Sequence, residues 1–277
     1  MKNRILVACI YVPILFIVMF FLPAYIFTGV VALICAVSAY ELHHAMGGKK
    51  NDRIVIYTVF SSVLIPVGAY FEITAHVFMA AALALMCLMF SETIAAFGTI
   101  RKISFTRVLA AIFGGAIIPL MLSGLVSLKN MPEGRLMVLL PVISAFVTDG
   151  GAYFVGVFLG KRKAFPRVSP KKTVEGCVGG LVVGTAGMLI YGVILVMTTF
   201  HGVVFWALIL YGVVGAALTE LGDLAFSLIK RELEIKDFGR LLGGHGGMLD
   251  RFDSMVFTAP AMYLLLQVIP AISVRIK

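Results

Sequence analysis

The chain reads as an all-α, polytopic integral membrane protein of about nine transmembrane helices, with a polar cavity open to the cytoplasm. Three observations carry this expectation. Hydrophobic residues make up 61% of the chain and charged residues 13%, with a mean hydropathy of +1.04. That is too apolar for a soluble domain of 277 residues. Apolar runs of the ~17–25 residues that a helix needs to cross a hydrocarbon core recur along the sequence. Finally, Glu41, Glu92, Asp149, Glu175, Glu220 and Asp223 sit in or at the edge of these runs. Ionisable groups at membrane depth are costly and generally face a cavity or a partner.

The first apolar run, 5–22, comes after the basic start Met1-Lys2-Asn3-Arg4. It is longer than a secretory signal core and no small-residue cleavage site succeeds it, so a retained helix is expected. Pro23 separates it from the second run, 24–45, and allows a kinked hairpin. Further spans are expected at 54–71, 75–98, 106–128, 135–159, 175–199, 202–229 and 252–272, each set off by charged or Pro/Gly breaks. A single membrane domain over 1–277 is expected, with 1–130 supplying N-terminal helices and 131–277 carrying the polar chemistry. Cys9, Cys35, Cys87 and Cys177 lie within apolar runs without CxxC spacing, which favours packing over disulfides or zinc.

Charge then sets the expected orientation. Of the 23 lysines and arginines, all but Lys129, Arg135, Arg275 and Lys277 fall at the N-terminus or beside the connections after the second, fourth, sixth and eighth spans. The positive-inside rule makes that side cytoplasmic and puts the C-terminus opposite. The net charge of +9 is then explained by topology and anionic headgroups, and nucleic acid is not an expected partner.

Two polar stretches feed the expected cavity. In Ser169-Pro170-Lys171-Lys172-Thr173-Val174-Glu175-Gly176, Pro170 blocks helix before it, Ser169 or Thr173 can cap the helix after it, and Glu175 lies in the first helical turn. Lys171 and Lys172 beside a helix N-terminus make an anion site, or else a simple positive-inside anchor. The second stretch, residues 220–253, places Glu220, Asp223, Ser227 and Lys230 at helical spacings of three and four, hence along one face. The Gly243-Gly244-His245-Gly246-Gly247 turn lets backbone approach a ligand closely. Asp250 and Asp253 then share a face of the last helix. With Asp223 they present the hard oxygen ligands that Mg²⁺ takes when it also holds phosphates. The bland alternative has Asp250 and Asp253 only capping that helix and pairing with Arg251 or Lys236.

The stretch SLIKRELEIKDFGRLLGGHGGMLDRFD resembles the signature of the phosphatidate cytidylyltransferases, or CDP-diacylglycerol synthases. The resemblance rests on Ser227, Lys230, Arg231, Lys236, Asp237, His245, Gly246 and Gly247, succeeded by Asp250, Arg251 and Asp253. SPKKTVEG and TDGGAYFVG are similar as well, so it covers roughly the C-terminal half. It implies a bacterial inner-membrane enzyme, a homodimer, that uses CTP, phosphatidic acid and Mg²⁺, with a second cation left open, among membrane lipids. On that footing Asp223, Asp250 and Asp253 are the expected metal ligands. Lys171, Lys172, Lys230, Arg231 and Arg251 would neutralise phosphates, with Ser169, Thr173, Glu175, Ser227, Lys236, Asp237, His245, Gly246 and Gly247 around the substrates. His245 either donates to a phosphate or shapes its turn. Two rivals share the setting: a CTP-dependent polyprenol kinase and a cation-coupled transporter.

Overall fold

The computed structural model of the protein describes residues 16–48, 52–99, 102–199, 201–239 and 246–274. Among them, seven helical segments are long and apolar enough to cross a membrane, where nine were expected. The first expected span, 5–22, lies mostly outside the described residues. The ninth forms as a helix, Leu249–Val268, but it opens with Asp250, Arg251 and Asp253, which dilute its apolar length.

We label the helices α1 Ala24–Ala45, α2 Arg53–Tyr70, α3 Thr74–Ala95, α4 Phe105–Asn130, α5 Leu139–Phe158, α6 Val174–Thr198, α7 Phe205–Glu232 and α8 Leu249–Val268. The described residues are mostly helical, as expected, with two short antiparallel ribbons besides. Strands β1 Lys163–Phe165 and β2 Ser169–Thr173 pair antiparallel in what read as a basic loop, and β3 His201–Val203 pairs with β4 Ile272–Val274.

The chain divides into two compact units, Met1–Arg135 with Glu232–Phe252, and Leu136–Arg231 with Asp253–Lys277. Glu232–Phe252 thus groups with the N-terminal helices.

In the first unit, local chemistry sets the helix ends. Pro23 precedes α1, Asp52 Oδ1 accepts from Ile54 N at 3.2 Å to cap α2, and Ser104 Oγ accepts from Arg107 N at 3.3 Å to cap α4. α4 is interrupted by a π turn at Phe113–Ile117. Ile54, Leu85, Met89, Val108 and Ala111 form one buried apolar cluster between α2, α3 and α4. At the polar end, Arg107 pairs with Asp52, and its Nη2 lies 3.2 Å from His43 Nε2. Glu92 accepts from the Tyr57 hydroxyl at 3.2 Å, and its contact with the exposed Arg53 at 3.6 Å adds little.

In the second unit, α5 lies along a stripe of small residues on α6. A Cβ on Gly184 would meet Thr148 Oγ1 at 2.2 Å, and one on Gly180 would meet Thr148 O at 3.1 Å. Small residues let helix backbones approach where lipid supplies no hydrophobic drive. Two hydroxyls tie chain ends to this frame: Tyr191 donates to Leu136 O at 2.8 Å and Tyr211 to Ile269 O at 2.7 Å.

Candidate active site

The chemistry of the second unit gathers around Lys172. β2 is extended, so Lys171 and Lys172 point to opposite sides of the ribbon. Lys171 is exposed, while Lys172 turns inward and its Nζ stands 2.8 Å from Asp223 Oδ2 on α7. The two lysines named together as an anion site are thus placed differently in the fold. Burial alone would lower the Lys172 pKa, but the charges of Asp223, Glu220 and Asp149 outweigh it and raise it. Asp149, on α5, also lies within electrostatic reach of Asp223, Asp253 and Glu220. Three carboxylates thus share the neighbourhood of one ammonium, an excess of negative charge that suits a hard divalent cation.

No three His, Cys, Asp or Glu side chains among the described residues form a ready-made metal cage. Mg²⁺ is typically held by one or two carboxylates together with substrate phosphates, rather than by an all-protein cage. The donor chemistry fits the ion on that basis.

The flank of this cluster is structural. Thr173, rather than Ser169, caps α6, its Oγ1 accepting from Gly176 N at 3.1 Å. Glu175 accepts from Lys161 N at 3.0 Å and Arg162 N at 3.1 Å, pinning the start of the β1–β2 ribbon to α6. Further along α7, Ser227 and Lys230 are buried on the same face as Asp223, as their spacing predicts, and Arg231 is exposed. Asp253 is buried, and its Oδ1 accepts from Ser254 N at 2.7 Å.

The first unit holds the other half of the signature. Asp250 Oδ2 accepts from Phe238 N at 2.8 Å and from Gly247 N at 3.0 Å, tying both residues to the first turn of α8. Glu41, only 4% exposed, accepts from Met248 N at 3.0 Å and Leu249 N at 2.9 Å. These are orphan amides at the start of a helix, where a carboxylate is doubly favoured by hydrogen bonding and by the helix dipole. Gly246 has φ +81°, and a Cβ on Gly247 would sit 2.4 Å from Glu41 Oε2, so glycine is required at both. Lys236, Asp237 and Arg251 are exposed, and His245 lies outside the described residues.

Sequence reasoning left out three residues from the expected site. Asp149 and Glu220 were legible as carboxylates at membrane depth, but nothing local marked them as neighbours of Lys172. Glu41 had the same signal, while its backbone partners lie more than 200 positions away.

Known proteins share much of this sequence. Proteins named phosphatidate cytidylyltransferase from Staphylococcus saprophyticus and Bacillus subtilis are each 39% identical, over 138 and 142 residues. These alignments cover 50% and 51% of this chain, and 52% and 51% of those proteins. One of the same name from Mycobacterium tuberculosis is 39% identical over 161 residues, 58% of this chain and 48% of that protein. The chain spans about half the length of the curated relatives it matches. The model of the cytidylyltransferase family matches residues 2–269, nearly the whole sequence, and the chain belongs to that family.

Proposed function

We propose that the protein is a CTP:phosphatidate cytidylyltransferase, which makes CDP-diacylglycerol and pyrophosphate in a bacterial inner membrane. The observation that carries the reading is the buried Lys172 ammonium, 2.8 Å from Asp223 among further carboxylates, in a chain whose relatives bear that name. The phosphate oxygen of phosphatidate is already an anionic nucleophile. It bonds to the α-phosphorus of CTP as the bond to the bridging oxygen breaks, and that oxygen leaves with pyrophosphate. No serine or histidine need be activated. The work left to the protein is to position two anions and neutralise them.

Lys172 and Lys171 take phosphate oxygens, and Arg251, Lys230 and Arg231 are assigned to the lipid phosphate and the leaving pyrophosphate. Asp223, Asp250 and Asp253 are the carboxylates assigned to Mg²⁺. When bound, Mg²⁺ supplies charge neutralisation to the triphosphate. Ser169, Ser227, Lys236, Asp237 and His245 are assigned to substrate contacts, while Thr173, Glu175, Gly246 and Gly247 hold the shape of the loops that present them. The active form is assigned as a homodimer, with membrane lipids around it.

CTP labelled at the α-phosphate should pass its label to phosphatidate, and CTP labelled at the γ-phosphate should not. γ-label in the lipid would identify a lipid kinase instead, and no label in either case would favour the transporter. Orientation is assigned from the charge asymmetry, with the β1–β2 ribbon on the cytoplasmic side and the C-terminus opposite. In a background free of native cysteines, an impermeant thiol reagent should label Lys163→Cys only from the cytoplasm and Pro132→Cys only from outside. The opposite pattern would overturn the topology.

A further inference from the structure

The first unit contains a cavity of about 1260 Å³ between α1, α2 and residues 235–239. Its walls are sorted by polarity. Val37 on α1 and Val59, Phe60 and Val63 on α2 form an aliphatic and aromatic trough, while Tyr40, Glu41, His44 and Asp237 bring polar atoms to the other part. α1 and α2 are consecutive helices joined by a short loop. The polar residues of α1 lie towards that loop, and Val63 lies towards the far end of α2. Ile56 and Phe60 are 62% and 65% exposed, so the trough opens on an apolar flank that would meet lipid.

Its length is informative. From Val55 to Val63, the apolar wall on α2 advances about 12 Å at ~1.5 Å per residue. That is close to one leaflet of a hydrocarbon core ~30 Å thick. A site with a long apolar wall and a few polar groups at one end has the form of an amphiphile's pocket. Ile235, Asp237, Phe238 and Gly239, which close the polar end, belong to the same signature stretch that carries the candidate active-site residues. Glu41, in the cavity wall, holds Met248 N and Leu249 N at the start of α8. The trough thus shares Glu41 with the start of α8.

We propose that this cavity is a tail channel that takes one acyl chain of the phosphatidate substrate. The proposal rests on the function assigned above and adds where that substrate's hydrophobic part is held. Glu41 and Asp237 at the polar end disfavour a phosphate there. The ester region rests at this end, where the Tyr40 hydroxyl can donate to a carbonyl oxygen, and the chain runs down the trough towards Val63.

The test uses the full chain in lipid nanodiscs. Phosphatidate with a diazirine midway along one chain should, on irradiation, modify peptides of α1 and α2 at trough residues. Excess dioleoyl phosphatidate should suppress the labelling, and equal phosphatidylcholine should not. Ala36→Leu and Val59→Trp, which narrow the trough, should each raise KM for dioleoyl phosphatidate by about tenfold, the scale of one or two misfitted methylenes, and leave KM for dihexanoyl phosphatidate unchanged. Suppression by both lipids alike would mark an ordinary annular-lipid groove, and equal changes for long and short substrates would remove the tail channel. Either result overturns the proposal. Ala36→Leu is the milder variant and serves if Val59→Trp fails to fold. If the wild type yields no CDP-diacylglycerol, the assigned function fails, and labelling of the trough still decides independently whether it holds a lipid chain.

Discussion

Glu41 and Asp250 in the first unit, and Asp223, Glu220 and Asp149 in the second, are all carboxylates set against apolar helices, yet they are used in opposite ways. The first pair accept from main-chain amides of residues 238 and 247–249. The second set faces the side-chain ammonium of Lys172. A carboxylate satisfied by backbone amides fixes the shape of a loop, because those donors cannot leave. A carboxylate that faces an ammonium can exchange that partner for a cation when a phosphate claims the lysine. Asp223 and Asp250 therefore sit in different settings, one against a side-chain ammonium and the other against main-chain amides.

The sharpest way to break this contrast is to compare Asp223→Asn with Asp250→Asn. Asp223→Asn should lower kcat by about 10²–10³-fold, the cost of removing one electrostatic group from a preorganised site, with an unchanged melting temperature. Asp250→Asn should lose activity and also melt earlier. Full turnover by purified Asp223→Asn at saturating Mg²⁺ would remove that residue from the site.

A smaller separation is expected between neighbouring lysines. Lys172→Gln should reduce kcat/KM by about 10²-fold, whereas the exposed Lys171→Gln should cost roughly threefold or less. Steady-state kinetics on both single variants decide this, and equal losses would restore the two lysines to equivalence.

Glu41→Ala probes the structural side. It strips one buried and one part-buried amide of their acceptor and should destabilise the first unit by about 2 kcal/mol, read as a lower melting temperature in detergent. A melting temperature identical to wild type would show that Glu41 is dispensable to the fold.

The smallest effect is one of pH. Lys172 has its folded value raised, so the pairing with Asp223 is fully present below the ordinary lysine range and is lost only as pH rises through the raised value. Between about pH 6 and 9 Lys172 should add no pH dependence to kcat/KM. An alkaline decline within that window that vanishes in Lys172→Arg would contradict this.

Range decides which features were legible. Helix bounds such as 24–45 and 175–199 emerged from hydropathy and local caps because the membrane imposes a length and Pro23 or Thr173 mark the ends. The face shared by Asp223, Ser227 and Lys230 came from helical spacing. The ribbon at 163–173 was missed, since three- and five-residue strands in a basic segment leave no periodic signal. The inequality of Lys171 and Lys172 depends on that ribbon and was lost with it. The partners of Glu41 could not be read at all, because no local rule links position 41 to position 248.

That last contact has a consequence in time. Glu41 leaves the ribosome some 207 residues before Met248, roughly 10 to 40 s earlier at ~5–20 residues per second. Throughout that interval α1 is in place without the amides its carboxylate ends up holding. The first unit is therefore completed only after α7 has been made, once Met248 and Leu249 reach Glu41. A nascent chain halted before residue 248 presents an unsatisfied acid among apolar helices, the kind of defect by which quality-control proteases distinguish an incomplete membrane protein from a finished one.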